Sequence, residues 1–243
     1  MNKIITLAKS LINLIYPLHC ASCGRHIESV NDRGVCDLCL KKIKRNPLPY
    51  CPSCGRSMHT SEDVCAECRA MRPFFSSARS TCMYEGALKE LIHKFKYNNR
   101  RMLSGTFAGI MLDFIKENPD AVEGIDIITF VPLRRNRALA RGFNQSKLLA
   151  SLIGKSLGIP VTECLEKTRL TKNQNELSRE NRLVNLKGAF RIRPDIEEAV
   201  VRGAGILIID DVMTTGATLN EMSRALIDRG ADKVRCLTLA RGI

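Results

Sequence analysis

The chain has 243 residues, 44% of them apolar and 26% charged, with a formal net charge of +13. This is enough for one medium domain, or a small and a medium one, around a buried core, while no stretch reaches the roughly 20 apolar residues that a membrane helix needs. The positive balance favours phosphate-bearing partners, whether nucleic acid, nucleotides or anionic lipid.

The N-terminal stretch MNKIITLAKSLINLIYPLHC places Ile4, Leu7, Ala8, Leu11 and Ile15 at helical spacing, with Lys3, Lys9 and Ser10 among them. No small-residue cleavage site precedes Cys20, so the run reads as an amphipathic docking helix, or alternatively as an anchor lying on a membrane surface. The cytoplasm is the expected compartment, with no transmembrane segment.

Eight of the eleven cysteines fall in four CxxC pairs: Cys20 and Cys23, Cys36 and Cys39, Cys51 and Cys54, Cys65 and Cys68. Two residues between cysteines suit a metal knuckle, in which both thiolates meet one ion, and two knuckles complete a four-thiolate tetrahedron. Cys23-Gly24-Arg25 recurs as Cys54-Gly55-Arg56, so a unit of roughly 30 residues is duplicated, with a glycine where the chain must turn tightly. Two Zn²⁺ sites are expected, both structural, since a closed thiolate shell leaves no open position. Sequential pairing within each half is assumed, and interleaved pairing is the alternative. Redox sensing is disfavoured because no βαβ pattern surrounds any pair. Cys82, Cys164 and Cys236 read as small core residues, and His19 and His59 are left out of the ligand sets.

Residues 69–80, RAMRPFFSSARS, look like a hinge between a head (1–72) and a second domain (80–243). Leu88, Leu91, Ile92 and Phe95 then mark a helix whose other face shows Lys89, His93, Lys94 and Lys96. Phe107, Ile110, Met111 and Phe114 mark a second, ending before Pro119. IDIITFV (125–131) is a buried strand, and residues 146–157 form a helix stopped by Gly158. GILIID (205–210) is a strand, Leu219, Met222 and Leu226 a helix stripe, and VRCLTLA (234–240) the last strand. Alternating strands and helices predict an α/β fold with a mainly parallel sheet covered on both faces.

Ligands of such sheets bind beyond the carboxyl ends of the strands. Two loops leave those ends with unusual chemistry. One, VPLRRNRALARGFNQSK (131–147), holds five basic residues and no acid. The other begins with Asp210 and Asp211 and continues as Thr214-Thr215-Gly216-Ala217-Thr218. Paired carboxylates accept hydrogen bonds from two neighbouring sugar hydroxyls. A small-residue turn at a helix N-terminus points backbone N–H groups at a phosphate. The combination suits a ribose bearing a 5′-phosphate better than a merely acidic strand end with a capping threonine.

Ile206 to Thr218 resembles the phosphoribosyl-pyrophosphate (PRPP) motif of type I phosphoribosyltransferases. The resemblance implies that Asp210 and Asp211 are the catalytic pair holding the ribose hydroxyls, and that Thr214, Thr215, Gly216, Ala217 and Thr218 bind the 5′-phosphate. It makes Val131-Pro132-Leu133-Arg134 the pyrophosphate loop and the polar segment 168–190 a flexible closing loop. Arg169 and Lys172 are then clamps on the pyrophosphate, or else ordinary solvated charges, and Mg²⁺ accompanies PRPP.

The order of the cysteine pairs, LIHKFKY (91–97), VPL…RGFNQS (131–146), RLTKNQNELSRENR (169–182) and the acidic motif resembles the ComF family over nearly the whole chain. That implies a double zinc ribbon joined to a phosphoribosyltransferase-like domain. It also implies a role in natural transformation, handling incoming single-stranded DNA, with uptake machinery such as a helicase as a further partner. Candidate DNA-binding faces are Lys41, Lys42, Lys44 and Arg45; Lys94, Lys96, Arg100 and Arg101; and Arg134 to Arg141. Tyr50, Phe74, Phe75, Tyr97 and Phe143 are the few aromatics available for stacking. Nothing supports glutamine chemistry. Two other readings stay open: a salvage phosphoribosyltransferase, for which no acid or base toward a nucleobase stands out, and an interaction scaffold with a vestigial pocket.

Overall fold

The computed structural model describes residues 18–27, 34–59, 64–98, 100–133, 142–168 and 188–242. The expected N-terminal helix, Arg134 with the rest of the basic run to 141, and Arg169 and Lys172 lie outside the described residues.

The cysteine-rich head contributes two short helices, α1 (Asp37–Leu40) and α2 (Ala66–Met71). Then follow β1 (Ser77–Met83), α3 (Gly86–Tyr97), α4 (Leu103–Glu117), β2 (Ile127–Phe130) and α5 (Gln145–Leu157). A small antiparallel pair, β3 (Leu165–Lys167) and β4 (Phe190–Ile192), precedes α6 (Glu198–Val201), β5 (Gly205–Met213), α7 (Ala217–Ile227) and β6 (Lys233–Arg241). Among the described residues, β1, β6, β5 and β2, in that order, form one all-parallel sheet.

Ile206, Leu207, Ile208 and Ile209 are all fully buried because β5 is central and covered on both faces, the setting in which a parallel strand becomes an unbroken apolar run. Alternate residues serve different cores. Leu207, Ile209, Leu237 and Leu239 pack with Leu91 and Phe95 of α3, Phe107 and Met111 of α4 and Leu149 and Ile153 of α5. Ile206, Ile208, Val234 and Cys236 pack with Leu219, Met222 and Leu226 of α7. Asn144 caps α5 by accepting from the Lys147 N–H at 3.2 Å, and Gly158 closes it in the left-handed conformation. Cys82, Cys164 and Cys236 are buried, as expected of core residues.

The expected hinge over 69–80 is corrected. Helix α2 runs to Met71 and β1 begins at Ser77, so only 72–76 connect them. The strand was disguised by its hydroxyls, which are buried and satisfied: Ser80 Oγ pairs with Thr238 Oγ1 at 2.7 Å and Thr81 Oγ1 donates to the Leu239 carbonyl at 2.6 Å. The head is also hydrogen-bonded to the sheet. Residues 44–53 lie along the outer edge of β1, with Met83 N donating to Lys44 O (3.0 Å), Asn46 N to Thr81 O (3.1 Å) and Ala78 N to Ser53 O (2.6 Å). A sheet edge that would otherwise be an open template is thereby covered. Among the described residues no helix is long and apolar enough to cross a membrane.

Candidate functional site

The carboxyl edge of the sheet is assembled by register. Phe130 of β2 pairs with Ile209 of β5, so the Val131-Pro132-Leu133 turn leaves the sheet beside Asp210. The turn is tied to its neighbours: Val131 N donates to Ile209 O at 3.2 Å, and Asn144 Nδ2 donates to Val131 O at 3.0 Å. Two residues on, Ser146 in the first turn of α5 donates its hydroxyl to Asp210 Oδ1 at 2.8 Å. The Asp211 N–H adds a second bond to the same oxygen at 2.9 Å. Asp211 Oδ1 in turn meets Lys96 Nζ of α3 at 2.8 Å, and this pair is largely shielded from solvent.

Two carboxylates on successive residues cannot both ionise freely away from water. Burial first, then the neighbouring Asp211 charge, pushes the Asp210 carboxyl up to about 7, against the opposing pull of Lys96, Ser146 and the Asp211 N–H. Burial also works against the Lys96 ammonium, but Asp211 and then Asp210 outweigh it and hold its pKa above the ordinary lysine value.

Beyond Met213 the chain turns through Thr214, Thr215 and Gly216 into α7, with Gly216 in the left-handed region at φ +78°. Thr215 Oγ1 accepts from Ala217 N at 3.3 Å, and Thr214 is exposed. The first N–H groups of α7 have no partner within the helix, and its dipole favours negative charge there.

On the other side of this loop stands the second of two cysteine clusters. The sulfurs of Cys20, Cys23, Cys36 and Cys39 lie within 4.8 Å of one another, as do those of Cys51, Cys54, Cys65 and Cys68, so pairing is sequential within each half. Cys23 and Cys36 are 3.8 Å apart at sulfur, and Cys54 and Cys65 3.7 Å. Four sulfurs at about 2.3 Å from one ion sit about 3.8 Å from each other, so both sets fit a tetrahedral Zn²⁺. The repeat extends to the backbone: Cys36 N and Cys65 N each donate to the first sulfur of their set at 3.3 Å. Burial opposes ionisation of Cys20 and Cys51, but several such N–H donors draw their thiols down, to about 6 and about 7. Buried Arg241, at the end of β6, donates to Cys54 O at 2.6 Å and lies 3.3 Å from Met213 Sδ, linking the second knuckle to the residue before the 214–218 loop.

Comparison with known proteins matches residues 11–69 to the double zinc ribbon domain and residues 133–243 to the phosphoribosyl transferase domain. "DNA utilization protein YhgH" of Escherichia coli is 32% identical over 211 residues, covering 86% of this chain and 90% of that protein. The chain belongs to the ComF family. "Competence protein F" of Haemophilus influenzae is 29% identical across 93% of this chain and 98% of its own length. For "Competence protein ComFC" of Bacillus subtilis the figures are 30%, 86% and 85%. Among solved structures, a glutamine PRPP amidotransferase from B. subtilis aligns at 21% identity and a TM-score of 0.34, over 58% of this chain and 26% of that one.

In this ComF-family chain the acid pair, the 214–218 loop and Pro132 with Leu133 share one edge of the sheet, while Arg134, Arg169 and Lys172 fall outside the described residues. Sequence reasoning missed Lys96, Asn144 and Ser146 as parts of this site. The first sat in a run of lysines that resembled a solvated face. The other two lay within the quoted RGFNQS block, where a polar helix start beside a strand end was the available signal. The candidate DNA-binding faces also shrink: Lys96 is committed to Asp211, Lys94 donates to the Ala21 carbonyl, Arg45 to Ile110 O and Arg101 to Gly142 O.

Proposed function

We propose that this ComF-family protein binds PRPP with Mg²⁺ at the carboxyl edge of its sheet and acts in the handling of single-stranded DNA during DNA uptake, in the cytoplasm. One observation carries the ligand: two adjacent carboxylates, each with an oxygen not engaged by any described protein donor, stand beside a glycine-containing loop that opens a helix. On this reading Asp210 and Asp211 accept from the ribose hydroxyls, and Thr214 to Thr218 surround the 5′-phosphate. Pro132, Leu133 and Arg134, with Arg169 and Lys172, take the pyrophosphate. Mg²⁺ bound together with PRPP would neutralise charge on the pyrophosphate. Fixing the sugar by two carboxylates and the phosphate by backbone N–H groups is catalysis by positioning and electrostatics if PRPP is turned over onto an acceptor. The cysteine tetrads hold two structural Zn²⁺ ions.

The DNA part rests on the names borne by the relatives, which speak of competence and DNA utilization, and on the net charge of +13. Calorimetric titration of the zinc-loaded protein with PRPP and Mg²⁺ tests the ligand. Binding by the wild type that is lost in Asp210→Asn/Asp211→Asn is the expected outcome. A well-folded wild type that takes up no PRPP refutes the reading and moves the function to the ribbons and the basic surface.

A further inference from the structure

The block LIHKFKY packs α3 on the sheet through Leu91, Ile92 and Phe95, then breaks the apolar pattern with a lysine that is itself mostly buried. A buried ammonium is costly unless it is paired and hydrogen-bonded. Here the partner is Asp211 Oδ1, at 2.8 Å. The other acid is committed at one oxygen as well, since Asp210 Oδ1 accepts from both Ser146 Oγ and the Asp211 N–H. Among the described residues no donor engages Oδ2 of either carboxylate. The pair therefore offers one oxygen from each acid, the number of acceptors that a vicinal diol can fill with its two O–H donors.

Resting on the ribose-phosphate reading above, we propose that Lys96 is a positioning residue of the sugar site: it holds Asp211 so that the two acids present one oxygen each, and the pocket takes ribose phosphates in preference to 2-deoxyribose phosphates. A site built to bond a hydroxyl discriminates strongly against the analogue lacking it, because a buried acceptor is then left unpaired. For a protein that meets DNA, this selectivity keeps deoxyribose phosphates out of the pocket.

The arrangement is electrostatic as well as geometric. Asp210 is faced by Asp211 on its own strand, by Lys96 with Tyr84 beside it, by Cys236 on β6 and by the Ser146 hydroxyl on α5. Lys96 is the cation named in this set, and it favours the ionised Asp210. Removing it lets the carboxyl keep its proton to higher pH, so a ligand needing the carboxylate binds less well at neutral pH and recovers as pH rises. Lys96→Arg preserves the charge and guards against a Lys96→Met variant that fails to fold.

Two measurements on the full-length, zinc-loaded protein separate the clamp from the ligand. In the first, the Asp210 carboxyl is titrated by ¹³C NMR without ligand in the wild type, Lys96→Met and Lys96→Arg. The midpoint is expected to rise by about one unit or more in Lys96→Met, the usual effect of losing a close opposite charge, and to stay near the wild-type value in Lys96→Arg. In the second, ribose 5-phosphate and 2-deoxyribose 5-phosphate are titrated calorimetrically between pH 6 and 9. The sugar phosphate's own ionisation near pH 6 is common to all three proteins. The wild type is expected to prefer ribose by about tenfold or more, and Lys96→Met to lose about tenfold at pH 7 and regain part of it at pH 9. A Lys96→Met protein that titrates and binds like the wild type overturns the clamp while leaving the ribose-phosphate reading standing. A wild type that binds neither sugar, with the Asp210 midpoint still raised in Lys96→Met, overturns the ligand and its selectivity but not the clamp. Equal affinity for the two sugars overturns the selectivity alone.

Discussion

Gly216 shows how much of the site hangs on a single side chain that is missing. Its φ of +78° costs an L-residue about 1–2 kcal/mol, and a Cβ there would lie 2.6 Å from Met213 Cε. Met213 is also the residue that Arg241 touches, so the methionine has little room to retreat without disturbing the contact to Cys54. Gly158, at φ +70°, carries a similar backbone cost at the far end of α5, but a Cβ there would meet nothing within 4 Å. Gly158→Ala should therefore lose about 1 kcal/mol from its backbone alone, and Gly216→Ala more because of the added contact with Met213, in a denaturant titration. PRPP affinity separates them: a fall of about tenfold is expected in Gly216→Ala, equivalent to about 1.4 kcal/mol, and no change in Gly158→Ala. Equal affinities in the two variants would show that the 214–218 loop does not set the phosphate contact.

At the scale of elements, the second ribbon closes the sheet. Residues 44–53 cover the β1 edge by backbone hydrogen bonds, and Arg241 ties the end of β6 to Cys54. A Cys51→Ser/Cys54→Ser variant loses its thiolate knuckle, and binding free energy at such sites is folding free energy. The amides of Ala78 and Met83, which donate across this edge, should then exchange faster with deuterium, and the exposed edge should promote self-association. Unchanged protection at these two amides would mean that the edge is held without metal. These contacts left no trace in the sequence, because a carbonyl such as Lys44 O or Ser53 O is available at every position. The helices and central strands were legible for the opposite reason. Leu88, Leu91, Ile92 and Phe95 must share a face, and Ile206 to Ile209 must be buried on both. Strand β1 escaped because its buried hydroxyls read as a loop, and β3 and β4 because three residues make no period. At the site, the acid pair and the loop after it were visible as chemistry. Lys96 was not, since only the fold distinguishes a lysine turned onto Asp211 from its neighbours at 89 and 94.

The whole molecule carries a net charge of +13, but several of its candidate DNA-binding side chains are held by contacts of their own. Of the basic residues between 41 and 101 that were candidates for DNA, Lys44 pairs with Glu85 and Lys96 with Asp211, while Arg45, Lys94 and Arg101 donate to backbone carbonyls. Lys41, Lys42 and Arg100 are exposed, with no such engagement described. Binding to single-stranded DNA releases counterions in proportion to the phosphates neutralised, with a slope of log K on log salt of about −0.7 per contact. Three contacts give a slope of about −2, and removing two of them in Lys41→Ala/Lys42→Ala should leave about −0.7. Fluorescence anisotropy of a labelled oligonucleotide over a range of salt concentrations measures both. A wild-type slope much steeper than about −2 that survives the double substitution would assign the contact to the basic run 134–141 instead, which follows the proposed pyrophosphate-binding residues in sequence. A slope near zero would remove electrostatics from DNA binding altogether. The same titration repeated with saturating PRPP and Mg²⁺ discriminates between the two sites. Contacts at Lys41 and Lys42 leave the slope unchanged by ligand, whereas contacts in the 134–141 run compete with the pyrophosphate and flatten it.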